Sequence, residues 1–180
     1  VRENTWLDPV PVKGYVYPEE RWYSTTAWGR KSSKKGATAD TNKEHLEYFK
    51  PMWRWTPAMQ NDFATRADWC VKSYENANHP PAVKLAHATD LKAKPGQTLE
   101  LSAKGTNDPD GNTLSYHWWQ YEEADSYGGS IELHHADKQN ASFEVPADAK
   151  AGDTIHVICE VTDEGSPQLT RYRRVVFTVR

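Results

Sequence analysis

The sequence predicts a mainly β chain, with an antiparallel β-sandwich from about Pro80 to Arg180 preceded by an aromatic-rich, partly helical segment. Three observations carry this prediction. Aliphatic residues after Pro80 alternate with polar ones, the period of a half-buried strand. Clusters of Gly, Pro and Asp separate the alternating runs. The composition changes at Asn76-Ala77-Asn78-His79-Pro80-Pro81: thirteen aromatics and seven Val, Leu or Ile lie before Pro80, against eight and seventeen after it. Paired prolines impose extended backbone and end any helix there. The expected domains are 1–79 and 80–180.

Thr98-Leu99-Glu100-Leu101-Ser102-Ala103 reads as a strand with Leu99, Leu101 and Ala103 inward. The polar turn Asn107-Asp108-Pro109-Asp110-Gly111-Asn112 leads into Leu114-Ser115-Tyr116-His117-Trp118, with Leu114, Tyr116 and Trp118 on one face. Ala141, Phe143 and Val145 mark a third strand. Ile155, Val157, Cys159 and Val161 mark a fourth, closed by Asp163-Glu164-Gly165-Ser166-Pro167, and Val175, Phe177 and Val179 finish the chain. Short strands at this spacing, with such turns between them, indicate an immunoglobulin-like antiparallel sandwich.

The first half follows other rules. Thr41-Asn42-Lys43-Glu44 fits a capping box that opens a helix through His45, Leu46 and Phe49, stopped by Pro51. Thr56-Pro57 sets an N-cap hydroxyl before a proline at the first helical position. Beyond Asn61, Phe63, Ala67, Cys70, Val71 and Tyr74 recur at helical spacing and predict one apolar face. Residues 1–40 carry six aromatics and no periodicity, and Arg30-Lys31-Ser32-Ser33-Lys34-Lys35-Gly36 reads as a solvated loop. A segment so aromatic cannot close a core unaided, so it is expected to pack on its own sandwich or on a further domain.

A net charge of -3 gives no electrostatic reason to expect nucleic acid. No window approaches the roughly 20 apolar residues that span a bilayer. No signal peptide is visible, and a start at Val1 is compatible with removal of a leader or an upstream domain. Two cysteines, Cys70 and Cys159, are too few for a disulfide framework. A single bridge between them is one reading, and two buried thiols is the other.

Three constellations could carry chemistry. If Tyr116 and Trp118 face the core, His117, Trp119 and Tyr121 face outward, where flat rings can stack on sugar rings. The alternative is that the aromatic first half covers them. Asp108 and Asp110 in one loop, and Asp163 in another, should emerge at the same end of the sandwich, where hard oxygen ligands could hold Ca²⁺. Asp-Pro-Asp-Gly is equally good turn chemistry. Asp62 stands near a helix start, as a cap or as a metal ligand. No Gly-x-Ser-x-Gly elbow, HExxH, Cys-x-x-Cys or phosphate-binding glycine loop is present, and no catalytic residue is assigned.

Longer words in the sequence then matter. They are Asp108-Pro109-Asp110-Gly111-Asn112-Thr113-Leu114-Ser115-Tyr116-His117-Trp118-Trp119-Gln120-Tyr121, the stretch from Ile155 to Pro167, and Gln60-Asn61-Asp62-Phe63-Ala64-Thr65-Arg66-Ala67-Asp68-Trp69-Cys70 with Ala77-Asn78-His79-Pro80-Pro81. Together they resemble bacterial secreted proteins described as cellulose-binding, in which a nucleoside-hydrolase-like domain precedes a C-terminal immunoglobulin-like domain. The resemblance covers essentially the whole chain. It implies that residues 1–79 close the hydrolase-like domain, whose remainder lies upstream, and that the protein is secreted or periplasmic. It further implies a polysaccharide or other glycan partner, for which the outward aromatics Trp119 and Tyr121, with Tyr127, are the candidate binding residues. Asp62 matches the last Ca²⁺ ligand of nucleoside hydrolases, whose other ligands would lie in the missing upstream part. Those enzymes carry His before this Asp where this chain has Asn61, which puts ordinary nucleoside hydrolysis in doubt. Two alternatives accompany the binding reading: part of a Ca²⁺-dependent glycosidic-bond hydrolase, or a purely structural sandwich bracing the hydrolase-like domain.

Overall fold

The computed structural model describes residues 54–180. The chain divides into two compact units, Val1–Pro57 and Ala58–Arg180, and the second is described here. The expected helix over Thr41–Phe49, the basic loop at 30–36 and the aromatics of residues 1–40 lie outside the described residues.

Helix α1 (Thr56–Trp69) is followed by a 3-10 turn at Tyr74–Asn76 and six strands. These are β1 (Asp90–Ala93), β2 (Thr98–Ser102), β3 (Leu114–Gln120), β4 (Asn140–Glu144), β5 (Thr154–Asp163) and β6 (Thr170–Val179). One sheet has the order β1-β6-β5-β3, and β2 pairs with β4 in the second. The expected sandwich is present, with one correction: β1 runs parallel to β6, so the larger sheet is mixed and not purely antiparallel. Asp-Leu-Lys-Ala offers only a short apolar alternation, too brief to announce an edge strand.

The core sits between the sheets. Leu101, Phe143, Val145, Ile155, Val157, Cys159, Val161, Val175 and Phe177 are all at 0% exposure, which matches the inward set given by alternation. Trp118, 1% exposed, is its largest member and donates its indole N–H to the Lys138 carbonyl at 2.9 Å. That bond resolves the cost of burying a polar N–H in an apolar core. Phe143 and Phe177 meet edge-to-face across the sheets, with centroids 5.1 Å apart.

Helix α1 begins at Thr56-Pro57 as its cap predicts, but its apolar stripe does not face the sandwich. Phe63 is 76% exposed and Val71 83%; Ala67, Cys70 and Tyr74 are exposed as well. Cys70, Val71 and Tyr74 also lie past the end of the helix at Trp69. Thr65 is the one buried residue of the helix, and Asn61 and Asp62, one turn earlier, bond to Gln168 and Arg171 of the sandwich. Both cysteines are free: Cys70 is exposed and Cys159 buried, so neither the bridge nor the pair of buried thiols is found. Burial, with a lesser effect of Glu160, pushes the Cys159 thiol up to about 12, which makes it an inert core residue.

Candidate functional site

The outer face of the larger sheet gathers the aromatic candidates. Alternation along β3 puts Trp118 into the core and leaves His117 and Trp119 on the opposite side. The strand register then builds rows across this face. His117 stands opposite Glu160, which stands opposite Tyr172; Trp119 stands opposite Ile158, which stands opposite Arg174. The Trp119 indole donates to Glu160 Oε2 at 3.1 Å, and His117 Nδ1 lies 3.8 Å from the same oxygen. Trp119 and Tyr121 pack edge-to-face at 5.7 Å and 72°. Both rings are half-buried, while Ile158, opposite Trp119, is only 4% exposed.

Tyr172, Glu160 and Arg174 were not singled out from the sequence. The signal was available: extending the inward alternation of Val175, Phe177 and Val179 backward puts Tyr172 and Arg174 on the outer face. Burial, and then the Glu160 carboxylate, push the Tyr172 hydroxyl up to about 12, so it remains a neutral donor at ordinary pH. Rings beside a fixed carboxylate and a guanidinium combine a stacking platform with directional hydrogen-bonding groups.

Tyr127 lies elsewhere. It is 9% exposed, packed into the hydrophobic core, and its hydroxyl donates to Asp148 Oδ1 at 2.9 Å. A buried ring offers no stacking face, which separates Tyr127 from the Trp119–Tyr121 pair.

The two acidic loops do meet at one end, and what they hold is the linker after α1. Asp108 Oδ1 accepts the backbone N–H groups of Asp110 (2.9 Å) and Asn112 (3.1 Å), closing its own turn. Asp110 accepts the His79 backbone N–H at 2.6 Å and lies 3.0 Å from His79 Nδ1. Asp163, fully buried, accepts the N–H groups of Gly165 and Leu169 on one oxygen and the Asn78 amide on the other. Asn78 also donates to the Pro167 carbonyl and accepts from Asn112. His79 stacks with Trp69 at 5.7 Å and Tyr74 at 3.8 Å, and the Trp69 indole donates to the Asn78 carbonyl. Among the described residues, no three carboxylate, His or Cys groups converge as metal ligands.

Asp62 is the second anchor of the helix. Its Oδ2 accepts from Arg66 Nε at 2.7 Å and its Oδ1 from Arg171 Nη2 at 2.8 Å, while Asn61 donates to the Gln168 carbonyl. The Arg66 hydrogen bond is the largest influence holding the Asp62 carboxyl below its usual range; burial opposes it and Arg171 adds to it. Both oxygens are thus engaged by guanidinium groups, a donor set suited to an ion pair and a poor fit to a hard cation.

The family described as "Cellulose-binding protein Sde0182, C-terminal domain" matches residues 98–179. A solved nucleoside hydrolase-related hypothetical protein from Saccharophagus degradans, associated with carbohydrate metabolism, is 40% identical with a TM-score of 0.68. The match covers 71% of this chain and 32% of that one, so it spans about a third of that protein's length. Weaker likenesses include the PKD domain of the KIAA 1837 protein (18% identity, TM-score 0.41, 55% of this chain and 87% of that one) and murine CRIg (16%, 0.37, 57% and 99%). No curated protein sequence matches the chain. Residues 98–179 are thus similar to the C-terminal domain of the cellulose-binding protein Sde0182.

Proposed function

We propose that this sandwich is a glycan-binding accessory module of a secreted protein that also carries a nucleoside-hydrolase-like domain. The observation that carries the reading is the Trp119–Tyr121 pair. Two rings lie at fixed mutual orientation on a sheet face, with the Trp119 indole tied to Glu160. A sugar stacking on an aromatic ring gains on the order of 1 kcal/mol, judged from aromatic pairs, so two rings and a few hydrogen bonds suit weak binding along a polymer. The match of residues 98–179 to a family described as cellulose-binding supports the same partner. Titration calorimetry with soluble β-glucan oligosaccharides tests it. Affinity that rises with oligosaccharide length and disappears in Trp119→Ala is the expected result. Unchanged affinity in that variant moves the site away from this face.

A second reading is favoured by the exposed side of α1. Met59 (62% exposed) and Phe63 on α1, with Val71 and Tyr74 just past its end, expose apolar surface, while Asn61 and Asp62 tie the helix to the sandwich. In this reading the unit braces the hydrolase-like domain, which covers that surface. Phe63→Ser is expected to change the stability of this chain by less than about 0.5 kcal/mol and to destabilise a chain extended to include that domain by clearly more. Equal effects in the two would refute the brace.

A further inference from the structure

We infer that the sandwich has a second binding site, a cationic cleft for an anionic sugar, on the side of β6 opposite Tyr172 and Arg174. This inference rests on the glycan-binding reading and adds a ligand class to it. The cleft has a volume of about 510 Å³ and is lined by Pro81, Val83, Lys84, Asn107, Arg171 and Arg173, among others.

Its walls are held by hydrogen bonds. Ala82 and Asn107 form an antiparallel bridge, with Ala82 N donating to the Asn107 carbonyl at 2.8 Å. The Lys84 N–H donates to Thr106 Oγ1 at 3.0 Å, and that hydroxyl donates back to the Lys84 carbonyl. Gly105 turns the chain at φ +94°, a conformation that favours glycine, and the Lys84 stem runs beside it. Pro81 and Val83 are buried and give the cleft an apolar floor.

Charge sets the ligand class. Arg171 is compensated by Asp62. Lys84 and Arg173 are exposed, and among the described residues neither has a carboxylate in ion-pair contact. Arg173 donates only one N–H to the Tyr172 carbonyl, so further guanidinium donors are available. On a chain of net charge -3, two uncompensated cations beside an apolar floor suit a ring that carries a carboxylate or sulfate. Neutral glucose units offer these cations hydroxyl acceptors but no opposing charge.

The test compares an oligogalacturonate with its carboxyl-reduced neutral counterpart, a sulfated glucan oligosaccharide of equal length and polyglutamate. Wild type and Lys84→Gln/Arg173→Gln are each titrated at low and at 0.5 M salt, about the concentration that confines charge attraction to a few ångström. The acidic oligosaccharides are expected to bind about tenfold tighter than the neutral one, with the preference lost in the double variant and at high salt. Preference for the carboxylated or the sulfated probe identifies which anion the cleft takes. Equal binding of acidic and neutral probes, an unaffected double variant, or equal binding of polyglutamate would overturn the inference. Retention on insoluble cellulose, measured in parallel, separates the two sites. Cellulose retention without acidic preference sinks the cleft alone, and acidic preference without cellulose retention sinks the aromatic face alone.

Discussion

Asp62 ties α1 to the first residues of β6 through the Arg171 guanidinium, while Arg66 of the same helix holds its other oxygen, and the consequence is a pH dependence of known sign. Its folded-state carboxyl is held below the usual range, so its contribution is fully present above the unfolded value of about 3.9 and fades as pH falls through the folded value. The pair is partly exposed, with side-chain exposures of 25% for Asp62 and 32% for Arg171. Screening therefore limits its worth to about 1 kcal/mol. Asp62→Asn in calcium-free buffer at pH 7 is expected to lower urea-unfolding stability by about that amount and to flatten the acid limb of the stability curve. A variant as stable as wild type without calcium, but unresponsive to calcium where wild type is stabilised, would make Asp62 a metal ligand. Gly165 is the other telling residue. A Cβ there would overlap the Asn78 side chain, which bridges Asp163, Asn112 and Pro167. Gly165→Ala is expected to cost about 1–3 kcal/mol by unseating these part-buried polar bonds; a neutral effect in thermal melts would show that the joint re-forms around the methyl. The sequence indicated Asp62 and the acidic loops but not their partners. Asp62 and Arg171 are 109 residues apart, and no local pattern encodes such a pairing.

Strands were more legible than the helix, for a physical reason. The central inward residues of β3, β4, β5 and β6 sit between two sheets, so a period of two maps directly onto burial there. Adjacent tryptophans on β3 illustrate this: Trp118 is 1% exposed and Trp119 half-buried on the other face. Trp118→Ala is expected to cost about 3–5 kcal/mol. Trp119→Ala should remain folded by far-UV circular dichroism, and comparable losses in denaturant for both would contradict their opposite placement. Helix α1 misled because its period of 3.6 identifies an apolar face without saying what covers it. Polar residues around Thr65 dock on the sandwich, and Phe63 points away. Strand β1 escaped notice because four residues at a sheet edge carry too little pattern.

At the scale of the whole molecule, linker and loops make α1 and the sandwich one built unit. Asn78 and His79 fill the end where the acidic loops converge, and the outer sheet face and the cleft beside β6 lie on opposite sides of the same strand. A module so organised can present a stacking platform while its helix carries an apolar surface toward a larger partner. The central claim is that Trp119 and Tyr121 hold a polymer, and depletion binding to insoluble cellulose tests it most directly. Wild-type protein is expected to be retained, released by soluble glucan competitor and lost in a folded Trp119→Ala variant. Retention of that variant at wild-type level, or wild-type protein left wholly in solution, would contradict the account.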